Sequence, residues 1–334
     1  MKKLLVVAFA AIGLAACSGE NVVELNKTNA ITFANVHVDH ALRTTTRATI
    51  DPSFDRDNLQ EFKVWAFMDT PSGIVLNDEL VEKRENEVWF YTHTQYWLPN
   101  HTYYFAALAP VTNHNWTLST AGANTYGIGS IHFENVDGGE DLIYAAQAVE
   151  TPKTLEELTT DGMDAVDLIF GHLLSKAKFT FKNGFYNETA KIQVKNITMT
   201  VPAKGDINLA VENWWDTNSW VLDGNDTTTL EFGNVSTVLE IGKSETSDKE
   251  RLTIPAGADY TYNIEFDVEL YMNDELAHTF HRTATVSNRA LEIGKAYNFS
   301  AVITPENLEL KPIEFTVTRV KGWVVDGEDV AIEQ

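Results

Sequence analysis

The chain has 334 residues, 44% of them hydrophobic and 11% aromatic, and a formal net charge of −23. That length accommodates two domains of ordinary size, and that apolar content excludes global disorder. An acidic surface of this kind repels phosphate backbones and excludes nucleic acid as a partner, while abundant Thr, Asx and aromatic residues favour strands and turns over helices.

Lys2 and Lys3 form a positive start, Leu4 to Leu14 an apolar run too short for a stable transmembrane helix, and Ala15 and Ala16 precede Cys17, the only cysteine. A cysteine directly after Leu14-Ala15-Ala16 resembles the bacterial lipobox. That resemblance implies a diacylglyceryl thioether on Cys17 and a signal peptide spanning 1–16. Loss of Lys2 and Lys3 with it leaves a net charge of −25 and a chain without a free thiol. Stability then rests on core burial without disulfides. Each buried acyl CH₂ adds roughly 0.8 kcal/mol of membrane affinity, so several chains on Cys17 anchor firmly to an outer membrane.

Ser18 to Thr28 is a polar tether. Ile31 and Phe33 share one parity, Val36 and Val38 the other, so a strand with a bulge at Ala34-Asn35 is expected. The stretch Arg43 to Arg47 has no hydrophobic period and reads as an exposed loop. Phe62 to Met68 is apolar on both faces and predicts a central strand. Val88 to Tyr91 and Tyr103 to Leu108 are further strands, Val111 to Gly129 a long loop, and Lys153 to Leu158 a single helical turn. Leu142 to Ala145, Val166 to Phe170 and Leu174 to Phe181 follow. Beyond them lie Ile192 to Met199, Ile207 to Leu209, Leu230 to Phe232 and Val238 to Ile241. Tyr260 to Leu270 alternates without a break, Asn273-Asp274 signals a hairpin, and Thr279 to Val286 returns. Ala296 to Ile303 and Ile313 to Val320 complete the set. No helical stripe exceeds two turns, so the fold class is all-β, two antiparallel β-sandwiches in tandem.

Few residues offer chemistry. His37/His40 and His278/His281 are spaced i, i+3, which on a strand points the two rings to opposite faces, so no metal is expected. The clusters Asp51/Asp55/Asp57, Asp137/Glu140/Asp141 and Asp326/Glu328/Asp329 lack the calcium-loop pattern and read as turn acids. No serine elbow, P-loop or dinucleotide fingerprint occurs, so the chain is read as non-enzymatic and free of cofactors. A paired-carboxylate glycosidase would leave no local signature. Trp214, Trp215 and Trp220 either form a sugar-stacking platform or fold their loop back on the sandwich.

The order of several stretches carries a resemblance. They are the lipobox, Ile31-Thr32-Phe33, Thr46-Arg47-Ala48, Phe62 to Ala66, Trp97-Leu98-Pro99, Tyr104 to Pro110 and Asp141 to Ala145 in the first half. In the second half are Leu252 to Pro255, Leu291 to Tyr297 and Ile313 through Trp323. Together they resemble the fimbrillins of the Bacteroidales, the subunits of type V pili. The resemblance implies transthyretin-like, Greek-key sandwiches at 48–172 and 173–334, after a tether and removable first strand at 17–47. It implies an outer-membrane lipoprotein precursor cut by an arginine-specific protease, at Arg47 or else Arg43, with loss of the strand carrying Ile31, Phe33, Val36 and Val38. A neighbouring pilin subunit then fills the groove with its tail, here Val320, Trp323, Val325, Val330 and Ile332, by strand addition. The product is a fimbrium at the cell surface that serves adhesion. Alternatives are an accessory anchor or tip pilin, or a monomeric surface lipoprotein that binds glycans.

Overall fold

The structure, a computed structural model, describes residues 29–39, 59–70, 73–84, 88–112, 114–118, 128–209, 220–309 and 311–320. The strands are β1 (Phe33–Asp39), β2 (Glu61–Met68), β3 (Ile74–Lys83), β4 (Trp89–Phe90), β5 (Thr102–Ala109), β6 (Trp116–Leu118) and β7 (Ser130–Glu134). After β8 (Ile143–Glu150) comes helix α1 (Leu155–Asp161), then β9 (Val166–His172), β10 (Ser175–Asn183), β11 (Ala190–Pro202), β12 (Lys204–Asn208) and β13 (Trp220–Leu222). The chain continues through β14 (Thr227–Gly233), β15 (Ser244–Thr246), β16 (Arg251–Thr253), β17 (Tyr262–Met272), β18 (Glu275–Val286) and β19 (Ala296–Ile303). Helix α2 (Pro305–Glu309) and β20 (Thr316–Val320) follow. The fold is all-β, as its patterning predicts. Among the described residues no helix is long and apolar enough to cross a membrane.

A seven-stranded sheet runs β1-β9-β8-β5-β2-β3-β4. It curls until its ends meet: Ile31 N–H donates to Gln95 O (2.8 Å) and Trp97 N–H to Asn29 O (2.9 Å). Inside lie Phe62, Val64 and Ala66 of β2, with Tyr103, Phe105 and Ala107 of β5. The opposite face of the same strands presents Trp65, Phe67, Ala106 and Leu108 to a second core. β2 is therefore central and apolar on both faces because each parity fills a different core.

The second core is closed by a four-stranded sheet, β13-β12-β7-β6. β12 and β13 lie far downstream in sequence, yet β12 pairs with β7 from Lys204↔Glu134 to Asn208↔Ser130. Ile207, Leu209 and Trp220 thereby cover Trp65 and Phe67. The third core lies between the sheet β15-β10-β19-β20, with β16 also on β10, and the sheet β14-β11-β17-β18. Tyr262, Ile264, Phe266 and Val268 of β17 face it, and Asn273 and Asp274 close the β17–β18 hairpin with φ of 51° and 66°.

Two pairings depart from purely antiparallel sandwiches: β1 with β9 and β10 with β19 are parallel. Each joins strands far apart in sequence, which leaves room for the crossover that a parallel pair requires. Thr154 begins α1 with a capping box, its hydroxyl accepting from Glu157 N–H while Glu157 accepts from Thr154 N–H. The expected strand Val238 to Ile241 is reduced to one bridge, Ile192↔Leu239. The segment expected as one long loop contains β6.

Candidate functional site

The first described segment is held in a slot. Ile31, Phe33, Val36 and Val38 all enter the interior of the seven-stranded sheet. Strict alternation would send the two pairs to opposite faces. A bulge between Ala34 and His37 restores the parity, with Asn35 at φ 48°. Asn35 suits that left-handed position better than most residues. Its amide donates to Asp167 Oδ1 of β9 (2.9 Å), and its carbonyl meets His37 Nδ1 at 2.7 Å.

The slot is lined by aromatic rings. Phe33 meets Phe62, Tyr91 and Phe105 edge-on, with centroids 5.8, 5.7 and 6.1 Å away. Such edge-to-face contacts contribute about 0.5–1.5 kcal/mol each beyond area burial. At the entrance, the Tyr91 hydroxyl donates to Ile31 O (2.8 Å) and accepts from Gln95 N–H (3.1 Å). Burial pushes the Tyr91 pKa above its ordinary value, so it remains a donor. On the β9 side Val166 N–H donates to Thr32 O (2.7 Å). The segment thus has main-chain partners on two sides, although nothing covalent ties it locally to either.

The other residues singled out in the sequence fare differently. Trp220 is 7% exposed, and its indole N–H donates to Leu173 O (2.9 Å). It packs into the second core, with Phe133 at 6.3 Å between ring centroids. Apolar Leu209 and Leu222 flanking the Trp-rich segment were the available signal. Trp214, Trp215, Cys17, Arg43, Arg47, Trp323, Val325, Val330 and Ile332 lie outside the described residues, as do His40 and the first and last acid clusters. Val320 ends β20, paired with Ala296 at the sheet edge.

The middle acid cluster divides among separate tasks. Asp137 Oδ1 accepts from Gly139 N–H (2.9 Å). Glu140 accepts from the backbone and side-chain amides of Asn115, and its burial raises its pKa. Asp141 Oδ2 stands 2.8 Å from Nδ1 of the buried His172. His281 Nδ1 lies 2.9 Å from Asp267 Oδ1, whereas the His278 ring packs on Phe280.

By its fold, the chain is a multi-sheet β-sandwich protein whose polar clusters hold turns and strand ends. It belongs to the fimbrillin-like family, whose family model matches residues 46–323. A fimbrillin-like chain has a role of the pilus or adhesin type. No curated protein gave a match. Among solved structures, a candidate cell adhesion protein of Parabacteroides distasonis aligns with a TM-score of 0.50 and 11% identity, over 90% of this chain and 98% of that one. A candidate cell adhesion protein of Bacteroides ovatus gives 0.49 and 13%, over 89% and 98%. The fimbrial anchor protein Mfa2 of Porphyromonas gingivalis gives 0.40 and 11%, over 88% and 99%. At these identities the likeness is one of fold.

Proposed function

We propose that this protein is a pilus subunit, exported as a lipoprotein on Cys17, cut at Arg47 or Arg43, and polymerised when a neighbour's strand replaces residues 31–38. The observation that carries this reading is the slot. Four apolar side chains of one separable segment are buried there, at 0%, 5%, 3% and 8% exposure for Ile31, Phe33, Val36 and Val38. At roughly 1.5–3 kcal/mol each, their burial is worth on the order of 10 kcal/mol before ordering costs. Losing the segment opens an aromatic groove flanked by β9 and by the Gln95–Trp97 main chain, whose unmet hydrogen bonds favour strand addition.

The fit of the resident segment is imperfect. Asn29 is fully buried, and its side-chain amide has no partner among the described residues. Each such buried group costs about 1–3 kcal/mol, a cost that leaves with the segment. The donor in this reading is the tail from Val320 through Ile332. The boundaries 48–172 and 173–334 remain the proposed sandwich units, with β12 and β13 of the second contributing a sheet to the first.

The test is treatment of the full precursor with an arginine-specific protease, followed by N-terminal sequencing and gel electrophoresis without boiling. The expected result is a new terminus at Thr44 or Ala48 and a ladder of oligomers. Surface-assembled protein that retains an acylated Cys17 would overturn the stalk role. Normal ladders from a chain lacking residues 329–334 would remove the tail from the mechanism.

A further inference from the structure

The outer face of the sheet β15-β10-β19-β20 carries a feature that the pilus reading does not use. Inward residues Phe179, Phe181, Phe299 and Ala301 fill the third core. Their neighbours must therefore face outward. Register then places Thr246, Thr180, Ser300 and Thr316 side by side, one hydroxyl from each of four adjacent strands. With strands about 4.8 Å apart, this row is roughly 14 Å long. Lys182, level with Ser244 and Val302, stands beside it. The loop around α2 rises along the margin, and the resulting depression has a volume of about 680 Å³.

Tyr186, 74% exposed, adjoins the depression through one of its lining residues. The Tyr186 hydroxyl donates to Glu306 Oε1 (3.0 Å), a carboxylate that lines the depression. Hydrogen bonds from its own main chain, Thr304 and Tyr186 keep Glu306 below the usual carboxylate range. The approach of the chain is tight: a Cβ on Gly184 would lie 2.6 Å from Val302 Cγ1, so glycine lets this segment pass close over β19. An exposed aromatic ring thus stands next to a lining residue of a shallow floor of hydroxyls.

The charges of the lining decide the ligand class. Among the described lining residues Lys182 and Lys311 are matched by Glu306 and Glu314, so this lining is neutral although the chain carries −23. A neutral lining with donors, acceptors and hydroxyls, bordered by one aromatic face, suits a ligand that is polar at its edges and apolar on one face. That is a pyranose ring.

We infer that this depression is a carbohydrate-binding site for a neutral glycan, with Tyr186 stacking on one sugar ring and Lys182 and Glu306 bonding its hydroxyls. The depression is lined by none of the residues that form the slot of the first strand. The experiment probes the full chain on an array of neutral gluco-, galacto- and manno-configured oligosaccharides beside sialylated and sulfated ones. The strongest neutral probe is then titrated by calorimetry. The expected result is binding of a neutral probe that Tyr186→Ala weakens about tenfold, that Lys182→Ala weakens less, and that changes little with salt. Tyr186→Phe, which keeps the ring but frees it from Glu306, should retain most of the affinity. Failure of every neutral probe, binding confined to sialylated or sulfated probes, or full affinity in Tyr186→Ala would each overturn the inference. Tyr186 is exposed, so unchanged melting of its variants separates lost binding from lost folding.

Discussion

β1 and β20 are the outermost strands of the described chain, and each sits at the edge of a sheet. They are held in contrasting ways. β1 and the residues leading into it place four side chains in a core and gain main-chain partners on two sides. Among the described residues β20 has one neighbour, β19, along five residues, and its side chains are exposed or half-buried. Position at an edge therefore says little about how firmly a strand is retained. What counts is whether the sheet curls round to enclose it, as the seven-stranded sheet does by joining residues 29–31 to 95–97.

That contrast is open to direct challenge by substitution. Phe33→Ala should produce the largest loss, about 3–5 kcal/mol in urea unfolding of the uncleaved chain, because it empties a site walled by three aromatic rings. A loss below about 1 kcal/mol would mean that the slot collapses easily and is not a preformed groove. Tyr91→Phe should cost about 1–3 kcal/mol, since Ile31 O loses its buried donor. Once the segment bearing Ile31 has been removed, the same substitution should cost less, because only the bond from Gln95 N–H remains to be lost, and an undiminished cost would uncouple Tyr91 from the strand.

Val317→Ala in β20 should cost less, about 1 kcal/mol, because Val317 is only partly buried against its core. Equal losses for Phe33→Ala and Val317→Ala, scaled for side-chain size, would erase the distinction between the two strands. The smallest effect concerns acid. Lys195 Nζ lies 2.7 Å from Glu269 Oε2, and Tyr271 donates to the same oxygen at 2.6 Å. Chiefly through the Lys195 hydrogen bond, these contacts hold the Glu269 pKa below its ordinary 4.5. A lowered carboxylate contributes stability above its unfolded pKa and loses it as pH falls through the folded pKa. Wild type and Glu269→Gln should therefore differ by under ~1 kcal/mol at pH 7 and converge once the pH has fallen through the lowered Glu269 pKa, followed by thermal melting on acidification.

Much of this architecture is legible in residue order. β2 and β17 follow from their alternation, the β17–β18 turn from Asn273-Asp274, and the Asn35 bulge from a change of parity. β3 is not anticipated because Asn77, Asp78 and Glu79 interrupt its apolar run and Asp78 adopts φ 57°, so no period survives. The attachment of β12 to β7 is hidden for another reason. Its residues alternate like any strand, and nothing local states which sheet they join. The His172–Asp141 and Glu140–Asn115 partnerships join separate elements, beyond the reach of spacing arguments. For the slot, sequence yields the four apolar residues but not the enclosure. That depends on Trp97 and Tyr91, whose roles come from their backbone and hydroxyl contacts.

The parallel pairing of β1 with β9 also has a consequence in time. Asn35 and Asp167, partners across that pair, are 132 residues apart in sequence. Closing so long a loop instead of a two-residue hairpin is roughly six doublings of length, an entropic penalty on the order of 3–4 kcal/mol. The hairpins and local ladders should therefore form sooner, and the earliest-made strand should be among the last to dock. On that order of events each molecule should pass through an interval in which the vestibule for β1 already exists and its own strand has yet to arrive. Vacancy is thus a stage in the ordinary biography of the protein, and any later partner at that place would be entering a shape the chain had already built once without an occupant.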